Sequence, residues 1–233
     1  MAVAHDASSE SHTSGSSFNE AAFSWTHTPA GTPRGVLVFT YAKETGPPND
    51  ALSVTYGGVS LTAVSGGRAT DTAGEPADCK AWFLGSNIPT GAQSVVVNRT
   101  NNATAMLAHC VTVTADTDTA TGTPVLVEED GTYAEQSVDD GSPGTNSVRY
   151  AGGYSGNGGA DLGPGANSTS LQVSAFSGAR IATVRETTAG QGSRSVGFSY
   201  AVTDDRAAVH LAVKEVVAES YLPPPRQYQV RSR

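Results

Sequence analysis

Five histidines, two cysteines and three groups of clustered carboxylates are the side chains of this 233-residue chain with the types and spacing to do chemistry. Nucleophilic hydrolysis needs a Ser or Cys held beside a base, and its strand-to-helix signature places a glycine two residues either side of the Ser. The nearest match, Gly153-Tyr154-Ser155-Gly156-Asn157, breaks that spacing and reads as a loop. Gly156-Asn157-Gly158-Gly159-Ala160-Asp161 lacks the third glycine of a dinucleotide fingerprint, and no helical pattern follows it. His27, beside Trp25, and His109, between Leu107 and Val111, fall on apolar faces, where a hydrogen-bonded core imidazole is expected before a ligand or a base. His5 and His12 lie in a polar N-terminal stretch and read as exposed or as assembly contacts.

The carboxylates group as Asp116 with Asp118, Glu128-Glu129-Asp130, and Asp139-Asp140. Glycoside hydrolysis would want two of them facing each other about 5–9 Å apart across a cleft lined with aromatic rings. Only 7 % of the residues are aromatic, and Trp25 and Trp82 both sit on strand patterns that read as core. A calcium ion could gather several of these oxygens, but solvated turn residues are the plainer reading. Cys79 and Cys110 lie on separate predicted strands. They could pair if their α-carbons come within about 7 Å, and otherwise read as unpaired core thiols. Two sulfurs without a matched histidine pair make no structural zinc site. The sequence implies no cofactor and no catalytic centre, and we expect no enzyme.

The elements that would carry these groups are short runs alternating apolar and polar residues, broken every eight to fifteen positions by Gly, Pro, Asn or Asp. That rhythm predicts an all-β fold, an antiparallel β-sandwich of jelly-roll-like type. Its sharpest instance is 52–56 and 59–63 flanking Gly57-Gly58, whose positive φ angles suit a primed hairpin turn. Phe23 to Thr28 alternates, and Val36 to Tyr41 is apolar on both faces, as expected of a central strand covered on both sides. Further strands are predicted at 79–84, 94–97, 106–114, 171–176, 180–184, 194–202 and 207–214, enough for two packed sheets. The last two are expected to form a hairpin around Thr203-Asp204-Asp205-Arg206. The expected organisation is a polar N-terminal arm at 1–18, a sandwich over 19–217 with a long surface insertion at 115–168, and an extended tail at 218–233.

Net charge is −8, from 22 acidic and 14 basic side chains. Such a body repels phosphate, so nucleic acid is not an expected partner. No apolar run approaches a membrane span, and the polar stretch from Met1 to Ser17 reads as neither signal peptide nor anchor, so no membrane partner is expected. The tail is different: Tyr221, Pro223, Pro224, Pro225, Arg226, Arg231 and Arg233 make it proline-rich and basic. An extended polyproline conformation suits such a segment to lie across a neighbouring subunit, and these seven residues are the candidate partner-binding set.

Taken in order, Phe23-Ser24-Trp25-Thr26-His27-Thr28, Gly35-Val36-Leu37-Val38-Phe39, Val54 to Thr62, Ala81-Trp82-Phe83-Leu84, Pro89 to Val97, and Ala208-Val209-His210-Leu211-Ala212-Val213-Lys214 resemble β-sandwich domains of tailed-bacteriophage structural proteins. The resemblance spans about residues 20–217. It implies a non-enzymatic virion protein, a capsid decoration or cement protein that binds the major capsid protein or other virion subunits, as a homo-oligomer, in the virion. The alternative it leaves is a tail, fibre or surface adhesin domain that binds carbohydrate.

Overall fold

Every regular element is a β-strand in the computed structural model, which describes residues 3–11, 21–43, 51–71, 77–99, 106–128, 135–141, 146–156, 162–176, 178–199 and 206–216. In chain order the strands are β1 (Ala4–Glu10), β2 (Ala22–His27), β3 (Gly35–Lys43), β4 (Ala51–Tyr56), β5 (Val59–Ser60), β6 (Thr62–Asp71), β7 (Ala77–Leu84), β8 (Gln93–Arg99), β9 (Met106–Thr114), β10 (Thr119–Thr121), β11 (Val125–Val127), β12 (Gln136–Val138), β13 (Ser147–Ser155), β14 (Gly163–Pro164), β15 (Ser168–Phe176), β16 (Ala179–Glu186), β17 (Arg194–Val196), β18 (Phe198–Ser199) and β19 (Arg206–Glu215). Among the described residues all strand pairings are antiparallel.

The order β1-β9-β3-β7-β6 forms one sheet, and β10-β19-β13-β16-β15, with β11 also on β19, forms the sheet that faces it. These two are the sandwich. A third sheet, β2-β8-β4-β5, covers the other face of the first, and two small ribbons, β12-β17 and β14-β18, cover the other face of the second. The sequence predicts two layers, whereas the molecule stacks four.

The reason is legible in β3 and β9. Each is buried at eight of its nine positions. Leu37, Phe39 and Tyr41 of β3, with Leu107, Val111 and Val113 of β9, enter the core shared with the second sheet; Val36 and Val38, with Met106, Ala108 and Cys110, enter the core shared with the third. Period-two alternation with both faces apolar demands a cover on each side, and every large aliphatic side chain so enclosed contributes about 1.5–3 kcal/mol. Cys79 belongs to the first core and Cys110 to the second, on opposite faces of a sheet with β3 between them. Both thiols are free, and burial pushes both above the usual thiol range.

The hairpin at Gly57-Gly58 forms as expected, with φ of 56° and 82° and Tyr56 opposite Val59. Three other expectations are overturned. Residues 115–168 are not a surface excursion: they supply β13, buried at all nine positions and paired on both sides, in the middle of the second sheet. Its Gly152 and Gly153 allow the layers to meet, since a Cβ on Gly152 would lie 2.5 Å from Phe39 Cδ1 and one on Gly153 2.6 Å from Phe198 Cε2. Gly153 to Ser155 of the motif around Ser155 are therefore strand rather than loop, while Asn157 lies outside the described residues. Nor do the described parts of 194–202 and 207–214 pair as a hairpin; 200–205 lie outside the described residues. Gly197, at φ 152°, lies between β17 and β18, which join β12 and β14, while β19 pairs with β13, β10 and β11. Within the stretch read as a polar arm, Ala4–Glu10 is an edge strand of the first sheet.

Candidate partner-binding surface

The seven tail residues singled out in the sequence, Tyr221, Pro223, Pro224, Pro225, Arg226, Arg231 and Arg233, lie outside the described residues, as does His12. What the structure places is the end of the strand that precedes them. β19 ends at Glu215, and Val216, 46 % exposed, borders a cleft of about 600 Å³. One wall is the start of β6, Thr62 to Ser65; the floor is Phe83 and Leu84 at the end of β7; the other wall is Asp118 to Thr121, the entry into β10.

Local bonds fix these walls. The amide of Thr119 donates to the Gly85 carbonyl at 3.0 Å, and the backbones approach so closely that a Cβ on Gly85 would sit 2.0 Å from the Thr119 oxygen. The Thr119 hydroxyl donates to the Arg34 carbonyl at 2.6 Å, the Val216 amide donates to the Asp118 carbonyl at 2.8 Å, and the Asp116 amide donates to Glu215 Oε1 at 3.1 Å. β6 is the last strand of its sheet and loses register with β7 between Ala63 and Arg68. Among the described residues no strand pairs with its outer edge, which beside the cleft presents backbone donors and acceptors. A smaller cleft of about 260 Å³, lined by Arg34, Asn87 and Thr90, lies across the ridge formed by Ser86 and Asp118. Asn87 holds a left-handed φ of 52° there.

Two polar clusters lie elsewhere. Arg149 on β13, fully buried, pairs with Glu186 at 3.1 Å and Asp140 at 3.5 Å. It also donates to the carbonyls of Val138 at 3.2 Å, Gly190 at 2.9 Å and Gly192. Arg194 reaches the other oxygen of Glu186 at 2.9 Å. Asp140 is thus a buried ion-pair partner, not a solvated turn residue, whereas Asp139 is exposed and accepts the Gly141 amide at 3.0 Å. A polar cleft of about 330 Å³ opens beside this cluster, between Asn167, Glu186 and Arg194.

The second cluster is a relay that the sequence does not reveal, because its members come from β1, β2 and β9. Trp25 Nε1 donates to Ser9 Oγ at 2.9 Å; Ser9 Oγ lies 2.8 Å from His27 Nδ1; His27 Nε2 lies 3.1 Å from Thr112 Oγ1; and Thr112 donates to Asp6 Oδ2 at 2.9 Å. With the serine donating to Nδ1 and Nε2–H donating to the threonine, every bond runs in one direction toward the carboxylate. Burial lowers the His27 pKa to about 4, so the ring is neutral. Serine, imidazole and carboxylate suggest nucleophilic catalysis, but a threonine separates imidazole from acid and the serine already accepts an indole N–H. The three clefts above are lined by other residues. The arrangement fastens β1 and β9 of the first sheet to β2 of the third.

The remaining histidines follow the same logic. His109 Nδ1 and the Tyr41 hydroxyl meet at Thr183 Oγ1, each at 2.8 Å, joining the two sandwich sheets through a core imidazole as expected. His5, read as exposed or as an assembly contact, is half-buried with Nδ1 3.3 Å from the Tyr150 hydroxyl, and burial with the nearby Arg185 charge lowers its pKa to about 4. Among the described residues no group of three or more His, Cys, Asp and Glu side chains is arranged to hold a metal ion. Glu128 accepts the Thr70 amide at 3.1 Å; Glu129 and Asp130 lie outside the described residues. No family model, curated protein or solved structure matches the chain.

Proposed function

We propose that this chain is a non-enzymatic structural protein of a tailed-phage virion, a decoration or cement protein that attaches at junctions between capsid subunits as a homo-oligomer. The observation that carries the reading is the placement of the tail root. A segment bearing three arginines against one glutamate, on a chain of net charge −8, follows Val216 at an apolar cleft beside a sheet edge that pairs with no described strand, and a protein surface rather than a small substrate is the fitting partner. The four-layer stack supports it further, because a rigid body is suited to bridge neighbouring subunits.

The mechanism is linkage. A protein that binds only the assembled shell stabilises that shell by RT ln(1 + [L]/Kd), about 2.7 kcal/mol per site at a hundredfold excess over Kd. The test is calorimetry of purified capsids with increasing amounts of the protein. The capsid transition should rise with the logarithm of its concentration, and a transition indifferent to saturating protein would overturn the proposal.

A further inference from the structure

We infer that β1 is an acid-released latch: protonation of His5 and His27 detaches the strand from β9 and opens that edge of the first sheet while the rest of the stack stays folded. The latch is a property of the chain itself and does not depend on what the chain assembles with. β1 is held on one side only. It pairs with β9 alone among the described strands, its register breaks between His5 and Ala7, and no residue from Ala4 to Glu10 is buried, whereas Val3 and Ser11 at its two ends are. What fastens the strand between those ends is polar. Ser9 bonds Trp25 and His27, Asp6 accepts from Thr112 and from the Gly31 amide at 2.7 Å, His5 meets the Tyr150 hydroxyl, and Ser174 donates to Glu10.

Two of these fastenings involve an imidazole that must stay neutral. In the relay His27 Nδ1 accepts from Ser9 while Nε2–H donates to Thr112. A proton on Nδ1 makes both nitrogens donors, so the Ser9 hydroxyl, which already receives the Trp25 N–H, loses its acceptor. His5 lies near Arg185 of β16 and near His27 of β2, and both oppose a positive charge on its ring. Asp6 favours the charged form of both rings, but it is already committed to Thr112 and Gly31. The other groups facing the two rings, Tyr150 of β13, Tyr56 and Thr112, are neutral; β15 presents Gln172 and Ser174, and His109, opposite Glu10 on β9, bonds Thr183. Burial, first, and these charges bring both histidines to a pKa of about 4 from an ordinary 6.5. Once β1 leaves, the rings are solvated and take up protons, so the latch is fully closed above pH 6.5 and loosens progressively toward pH 4. A strand paired on one side through polar contacts opens at less cost than β13, which is buried throughout and paired on both.

The experiment is hydrogen exchange of the full chain at pH 7 and pH 5, read by mass spectrometry, with each rate divided by that of unstructured peptide at the same pH. Protection over residues 3–11 should fall about tenfold at pH 5, and the β9 amides that face β1 should follow, while β13 and β19 keep theirs. In the His5→Gln/His27→Gln variant the ratio of protection between the two pH values should be close to one, whatever its protection at pH 7. Trp82→Phe leaves Trp25 as the sole tryptophan, and its quenching by acrylamide should rise at pH 5 with far-UV circular dichroism unchanged. Unchanged protection over 3–11 at pH 5 would overturn the inference. So would loss over β13 and β19 in step with β1, which would make the effect global unfolding, or a pH response that persists in the double variant.

Discussion

Replacing Arg149 by methionine should cost more than any surface change in this protein. The side chain is fully buried and serves Asp140, Glu186 and the carbonyls of Val138, Gly190 and Gly192 at once. Arg149→Met leaves Asp140 and Glu186, each no more than 2 % exposed, without that cation, and breaking a buried pair from one side costs about 3–5 kcal/mol. Against a typical total of about 5–15 kcal/mol this is a large fraction. Urea unfolding followed by tryptophan fluorescence is informative, because Trp25 and Trp82 report from the core between the first and third sheets, two layers away. If the stack unfolds as one unit, the fluorescence midpoint falls by about 1–2 M urea with m unchanged. Arg149→Lys should lose about half as much, since a point charge cannot span all five acceptors. Adding Asp140→Asn to Arg149→Met should recover part of the loss, because Glu186 keeps Arg194 at 2.9 Å whereas Asp140 loses the Arg149 cation. A loss below about 1 kcal/mol for Arg149→Met would refute the claim that these acids are held as buried carboxylates by this side chain.

Acid should destabilise the fold through its histidines. His5, His27 and His210 have pKa values lowered to about 4 from 6.5, chiefly by burial, so below pH 6.5 the unfolded chain takes up protons that the folded chain refuses. Stability is complete above pH 6.5 and falls progressively to pH 4; His210, fully enclosed, accounts for about 3 kcal/mol, and His210→Gln should flatten that part of the curve in urea titrations. Cys79→Ala and Cys110→Ala should each cost about 1–2 kcal/mol and add without coupling, because the thiols fill different cores; a double variant losing more than the sum would contradict their separation. Gly152→Val should prevent cooperative folding, since even a Cβ collides with Phe39 and Tyr41 across the sandwich, whereas Gly58→Asn, at φ 82° with open space around it, should change the midpoint little. Circular dichroism separates the two.

The strands that the sequence exposes most clearly are those whose whole neighbourhood is written locally. β3 and β9 are apolar on both faces, and that alone requires layers on both sides, although the number of layers was not legible because the third sheet is built from ordinary half-polar strands. β13 was concealed by its own composition. Arg149, Gly152 and Gly153 mimic a loop until Glu186, Asp140, Phe39 and Phe198, remote in sequence, explain them as an ion-pair anchor and two close approaches. The supposed hairpin of 194–202 with 207–214 failed because short connection is a weak guide once β12, β13 and β14 compete for the same edges. His27 was legible as a core imidazole, but its relay to Asp6 was not, since Ser9 and Thr112 are unremarkable polar residues until β1, β2 and β9 meet. The cleft likewise assembles from four distant segments, and only the basic, proline-rich tail that follows Val216 in sequence is legible by composition.

Co-sedimentation of the full chain and its Arg226→Ala/Arg231→Ala/Arg233→Ala variant with capsids stripped of this protein tests the proposed role most directly. Both should unfold at the same temperature alone, because all three arginines follow the last strand of the sandwich, which ends at Glu215. The variant should occupy fewer sites, with the deficit widest at low salt, where the arginines are least screened. Equal occupancy of the two proteins at every salt concentration, or no binding by the full chain, would contradict it.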